Sequence, residues 1–257
     1  MLVHGFTGLK EDFADEVDPL AALGYHVVAP DLRGHGESSR PDDESAYTFE
    51  AFAGDLFALA DALGWNRFDL LGHSMGGMVA QVAVLLAPDR IDRLVLMDTT
   101  HTSVSTAAPE LVALGVEMAR TQGLDAIVDL LTAFENPEDN PAFHRICAER
   151  PGYREWSDRK ARSASAAMYA AMLPIMGTAP SRLSELARLD NPTLVMVGAL
   201  DAAFVGPSRE IADAIPGADY VEFAGGGHCP QFEATGAWRS ALHGFLGPAA
   251  GRVERTR

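Results

Sequence analysis

Residues 68–81, Phe68-Asp69-Leu70-Leu71-Gly72-His73-Ser74-Met75-Gly76-Gly77-Met78-Val79-Ala80-Gln81, set one serine on a glycine-bounded turn between two apolar runs. The first run has the length of a strand and the second has helical spacing. In that context Gly-x-Ser-x-Gly makes a sharp elbow, strained at the serine, with the hydroxyl standing clear of the sheet. A Cβ at Gly72 or Gly76 would collide with a neighbouring element. Serine is a poor nucleophile at its free pKa, so Ser74 needs a positioned base, and the base needs an orienting carboxylate. On such a sheet these arrive on loops at the C-terminal strand ends, in the order Ser, acid, His. Val197-Gly198-Ala199-Leu200-Asp201 puts a carboxylate just beyond one apolar run. Phe223-Ala224-Gly225-Gly226-Gly227-His228 puts an imidazole beyond the next. Ser74, Asp201 and His228 are therefore the expected catalytic set.

Acyl transfer also needs donors aimed at the developing oxyanion. The Met75 amide, at the start of the elbow helix, is one candidate, and the Phe6 amide, directly after His4-Gly5, is the other. Asp98 also follows a strand and is the alternative acid. His73, beside the nucleophile, cannot turn back to serve as its base and reads as packing. His4, His35, His101 and His243 lack a partner pattern and read as structural. Cys229 reads as a buried spectator, and Asp31 with Arg33 as pins for the loop that follows them.

The elements that must carry these groups alternate. Leu2-Val3-His4 begins a strand, residues 12 to 23 have helical spacing ending at Gly24, and Tyr25–Pro30 reads as a strand. A glycine- and charge-rich loop follows over Asp31–Ser39. Thr48 caps a helix to Leu63, closed by Gly64. After the elbow strand and its helix to Ala87 comes a strand at Arg93–Asp98. From His101 to Asp190 strands disappear, giving an expected helical cap over 101–190. Alternation resumes with a strand at Thr193–Gly198, a helix over 207–215, a strand over 219–223 and a helix over 230–246. Residues 1–100 and 191–247 would then form one core of parallel strands with helices on both faces. The small, charged tail at 248–257 reads as disordered.

Composition narrows the partners. The 257 residues carry 36 acidic and 20 basic side chains, a formal charge of -16, which disfavours nucleic acid and anionic membrane surfaces. Two distant cysteines, Cys147 and Cys229, indicate neither a disulfide framework nor a zinc site and are expected as free thiols. No apolar run is long enough to span a bilayer, and no signal peptide is visible, so the cytoplasm is the default expectation.

Taken together, His4-Gly5-Phe6-Thr7-Gly8, Asp31-Leu32-Arg33-Gly34-His35-Gly36-Glu37-Ser38, Gly72-His73-Ser74-Met75-Gly76-Gly77, Gly198-Ala199-Leu200-Asp201 and Gly227-His228 resemble the α/β-hydrolase family. Within it the chain is similar to the capped esterase, enol-lactonase, C–C hydrolase and haloperoxidase-like branch. Epoxide hydrolases and haloalkane dehalogenases share the layout but carry Asp at the elbow. The resemblance thus implies a serine hydrolase of an ester, thioester or lactone, with no cofactor and no metal. Its substrate would be a small molecule, and apolar residues of the cap (Met118, Leu130, Phe134, Met168, Met172, Met176) would favour a hydrophobic acyl group. C–C hydrolysis of a vinylogous diketone, perhydrolysis by the same triad, and a ligand receptor on the same scaffold are the alternatives. The family ordinarily has two strands ahead of the Leu2 strand, which this chain lacks. The edge beside Tyr25–Pro30 would then be bare or covered by a partner chain, leaving monomer and homo-oligomer open.

Overall fold

Leu70-Leu71, Leu94-Val95-Leu96-Met97 and Leu194-Val195-Met196-Val197 are apolar at consecutive positions, the pattern of parallel strands buried on both faces. In the computed structural model, which describes residues 1–104, 109–133 and 140–249, they lie at the centre of one sheet. Its strands are β1 (Leu2–Val3), β2 (Phe68–His73), β3 (Ile91–Met97), β4 (Thr193–Gly198) and β5 (Asp219–Phe223). They pair in parallel in that order, with Leu71 opposite Val95, Val95 opposite Leu194 and Leu194 opposite Asp219.

The helices in chain order begin with α1 (Ala14–Ala22), α2 (Phe49–Ala62) and α3 (Met75–Leu86). Between β3 and β4 come α4 (Pro109–Ala133), α5 (Pro141–Glu149), α6 (Tyr153–Arg162), α7 (Ala166–Gly177) and α8 (Leu183–Leu186). The chain then forms α9 (Ala202–Ala214), α10 (Pro230–Glu233) and α11 (Thr235–Leu246). The period of two along each strand sorts its side chains between two cores. Leu70, Leu94, Leu96 and Val195 pack with Phe52 and Leu56 of α2, Met78 and Val79 of α3 and Ile211 of α9. Leu71, Val95, Leu194 and Met196 pack with Leu20 of α1 and Trp238 and Leu242 of α11. Both faces are covered, so the C-terminal strand ends are where loops are free to gather polar groups.

Local signals fixed several boundaries. The Thr48 hydroxyl accepts the Ala51 N–H at 3.1 Å and opens α2, and Gly64 takes a φ of 72° just beyond its end. Three expectations need correction. Tyr25–Pro30 is not a strand. Its neighbour β1 is only two residues long, and one backbone bond, Leu2 N–H to Val28 O at 2.9 Å, joins the two. The helix expected at 207–215 begins at Ala202, because Pro207 lies inside it instead of opening it. The helix expected at 230–246 is two, α10 and α11, broken at Ala234 (φ -136°, ψ 37°). Of the expected disordered tail, Ala249 donates its N–H to Leu23 O at 2.9 Å, and residues 250–257 lie outside the described residues. Among the described residues no helix is long and apolar enough to cross a membrane.

Candidate active site

Ser74 sits between the last residue of β2 and the first of α3, with φ 54° and ψ -120°. Apart from glycines, only Ser74 and Asp98 have positive φ among the described residues. Holding a non-glycine residue there costs on the order of 1–3 kcal/mol, so the surroundings must enforce it. They do so through the backbone. Ser74 N–H donates to Met97 O at 2.9 Å, while Ser74 O accepts from Gly77 N–H at 2.9 Å and from the Thr99 hydroxyl at 2.7 Å. Glycines on either side permit this approach. A Cβ on Gly72 would lie 2.2 Å from Gly76 O, and one on Gly76 would lie 2.4 Å from His4 O.

Asp201 stands at the N-terminal boundary of α9, and His228 on the loop between β5 and α10. They follow consecutive strands, and they meet because β4 and β5 are neighbours. Backbone bonds from Ala199 N–H to Phe223 O and from Leu200 N–H to Gly226 O, both 2.9 Å, zip their exits together. His228 Nδ1 lies 2.7 Å from Asp201 Oδ2. A carboxylate accepts only, so Nδ1 carries the ring proton and Nε2 is left as the basic nitrogen. Ser74, His228, Phe6 and Met75 all line one cavity of about 410 Å³. Met75 is the first residue of α3, where N–H groups have no acceptor within the helix. The five residues expected from the sequence are thus gathered at one place.

Other expectations shift in detail. His73 does more than pack. Burial pushes its pKa well below the ordinary histidine value, so the ring is neutral, and Nε2–H donates to His228 O at 2.7 Å. It steadies the loop that carries His228. His4 and His35, both also held neutral chiefly by burial, prop the loop that carries Phe6. His4 Nε2 accepts the Leu32 N–H at 3.0 Å, and His35 Nε2 lies 2.6 Å from Phe6 O. Asp31 accepts the amides of Lys10 and Glu37, and Arg33 forks onto Asp55, as pins of the loop. His101 bridges Ser181 and Glu210, and His243 meets Glu16. Cys147 and Cys229 are half-buried, and Cys229 lines the cavity.

Two contributors were not expected from the sequence. Glu233 Oε2 accepts the N–H groups of Gly227 at 2.6 Å and Cys229 at 3.1 Å, the residues flanking His228. A carboxylate one turn into the helix after the histidine, reaching back to amides as in a capping box, is the signal that could have found it. Burial is the largest influence on Glu233 and raises its pKa. Lys160 of α6 reaches Asp12 at 2.7 Å, an ion pair on the cavity wall whose side chains are only 12% and 3% exposed. Of the apolar wall expected from the sequence, Met176 lines the cavity, and the rest of the wall is a different set among the described residues. Val112, Leu124, Ile127, Val128 and Leu131 of α4 face the cavity with Leu173 and Met176 of α7. Met168 and Met172 are buried in the core, Met118 packs against it and Leu130 is exposed. Phe134 lies outside the described residues. Helical spacing alone does not distinguish a cavity wall from a core.

Asp98, Asp201 and His228 have ligand atoms within 4.8 Å of one another, the one cluster among the described residues with metal-site spacing. The 2.7 Å contact between His228 and Asp201 is a hydrogen bond. Two atoms bound to one metal at ~2.0–2.2 Å keep about 3 Å apart, so the pair reads as acid and base.

A family model described as alpha/beta hydrolase fold matches residues 1–235. A thermophilic esterase from Thermogutta terrifontis superposes with a TM-score of 0.82 at 30% identity, over 95% of this chain and 88% of that one. The enol-lactonase of Burkholderia xenovorans LB400 superposes with a TM-score of 0.78 at 27% identity, over 95% and 90%. Epoxide hydrolase A of Mycobacterium tuberculosis is 42% identical over 91 residues, 35% of this chain and 28% of that one. The matched stretches of this and two further epoxide hydrolases span 28% to 34% of those proteins' own lengths.

Proposed function

Since the chain belongs to the α/β-hydrolase fold family, we propose that it is a serine hydrolase that cleaves a carboxylic ester, thioester or lactone of small to medium size. The observation that carries the reading is the His228–Asp201 contact at 2.7 Å opening onto the same cavity as the strained Ser74. His228 Nε2 takes the hydroxyl proton as Ser74 Oγ attacks the substrate carbonyl. The Phe6 and Met75 amides hold the resulting oxyanion. The leaving alkoxide or thiolate receives the proton from His228. Water, deprotonated by the same imidazole, then attacks the acyl-enzyme and restores Ser74. Asp201 keeps the proton on Nδ1 and stabilises the imidazolium in both halves.

The helices α4 to α7 act in this reading as a cap, their Leu, Ile and Val side chains facing a hydrophobic acyl group. The esterase and enol-lactonase among the structural neighbours support ester and lactone substrates. The epoxide hydrolases among the relatives supply the rival, and Ser74 favours acyl over alkyl chemistry. A panel of p-nitrophenyl esters of graded acyl length, an enol lactone and styrene oxide separates them. Ester or lactone turnover should vanish in Ser74→Ala, and a fluorophosphonate probe should label Ser74. Turnover of the ester that survives Ser74→Ala overturns the reading.

A further inference from the structure

Asp98 directly follows β3 with φ 44°, the second strained non-glycine residue beside Ser74, and it is completely buried. Its backbone N–H donates to Met196 O at 2.9 Å, and its Oδ1 accepts the Gly198 N–H at 2.8 Å. Its Oδ2 is buried and reaches no hydrogen-bond donor. The groups with which it clusters are the Asp201 carboxylate and the His228 ring, all within 4.8 Å. An ionised carboxylate facing another across a buried gap has nothing to accept from, and such pairs do not both stay charged. One proton between them turns the orphaned contact into a hydrogen bond.

We propose that Asp98 is a positioning residue that carries this proton on Oδ2 and donates it to Asp201, so that two carboxyls share one negative charge beside His228. The inference rests on the reading of Asp201 as the orienting acid. The groups facing Asp98 from the packed elements agree with it. Asp201 comes from the start of α9 and Glu233 from α10, both acidic, and they raise the Asp98 pKa further beyond what burial alone does. His228, on the loop between them, needs only one negative partner when it becomes imidazolium. A neutral Asp98 also fixes the Asp201 carboxyl in rotation, with one side committed to the imidazole and the other to the Asp98 hydroxyl. Asp98 is thus the second carboxyl at the position where the sequence left an alternative acid open, and it acts on His228 through Asp201.

The proton can be read without turnover. Wild-type protein at pH 7.5 should show a carboxylic-acid carbonyl stretch in its infrared spectrum that is missing from Asp98→Asn and retained in Glu233→Gln. Its absence from wild type, or its persistence in Asp98→Asn, overturns the proposal. This holds whether or not Ser74 hydrolyses an ester, so the two readings fail separately. The pH profile gives the functional readout. Asp98→Asn keeps a donor and is neutral, so the acid limb of kcat/KM should stay in place while kcat falls a fewfold. Asp98→Leu loses the donor, and kcat should fall roughly tenfold or more, with the acid limb moving up. Were Asp98 ionised, Asp98→Asn would remove a negative charge near His228 and move that limb down by about one unit or more, which also overturns the proposal.

Discussion

Glu233→Ala removes the single carboxylate oxygen that holds the amides on both sides of His228. Glu233 is 9% exposed, so truncation strands two N–H groups in a largely closed site. Each orphaned donor costs about 1–3 kcal/mol, which sets the expected loss at roughly 2–6 kcal/mol. That is a large share of the ~5–15 kcal/mol that holds a domain folded. Glu233→Gln keeps an acceptor without the charge. Its bonds weaken from about 1.5–3 to about 0.5–1.5 kcal/mol each, but it no longer buries an ionised group, so the net loss should stay near ~1–2 kcal/mol. The pH dependence follows from the raised Glu233 pKa. Folding favours the protonated form, so this stabilisation is complete below the ordinary glutamate range and is lost as pH rises through the raised value. Wild type should therefore lose ground to Glu233→Gln as the pH increases. Urea unfolding of the three proteins between pH 5 and 8 measures both effects. Ester kcat/KM should fall on the order of 10²-fold in Glu233→Ala as the His228 loop loosens. An alanine variant as stable as wild type, or a glutamine variant as damaged as the alanine one, would refute the cradle.

Other consequences can be checked in the same assays. Burial lowers the pKa of His4, His35 and His73, so the unfolded chain binds more protons than the folded one below the ordinary histidine range. Stability should fall with acidification between about pH 5.5 and 4.5, where the three histidines outnumber Asp98 and Glu233, whose raised pKa values oppose the trend. A flat urea midpoint over that interval contradicts the neutral assignments. Gly54, exposed within α2 with open space at its Cβ, should give about 1 kcal/mol of extra stability as alanine. Gly76→Ala, driven against His4 O, should instead fail to fold or lose activity, as melting and fluorophosphonate labelling would show. Lys160→Met leaves the Asp12 charge buried and should cost about 3–5 kcal/mol, much of it recovered when Asp12→Asn is added. An additive double-mutant cycle in urea would show that the pair is not coupled.

Much of the site was legible because its chemistry is written locally. A serine between Gly72 and Gly76 after an apolar run admits few backbone conformations, and an aspartate and a histidine just beyond later runs had few other places to go. The same logic placed β2, β3 and β4, whose apolar runs are buried on both faces, and also β5, an edge strand of which only Phe223 is buried. Tyr25–Pro30 failed the test because strand formation depends on a partner, and β1 offers it one bond. Met168 and Met172 of α7 failed, while Met176 reached the cavity, because composition does not say which face of a helix meets a cavity.

The sequence by itself determined the order of elements and the elbow, and it singled out Ser74, Asp201 and His228 as the proposed set, since those follow from periodicity and from residue types at strand ends. Only the tertiary structure decided how the set is held. His73 under the His228 carbonyl and Asp98 against Asp201 are separated in the chain and meet only when β2, β3, β4 and the loop after β5 lie side by side, whereas Glu233 reaches the amides that flank His228 from a few residues away. The physical reason is that burial and hydrogen-bond partners, which set protonation and rigidity, are properties of neighbours in space.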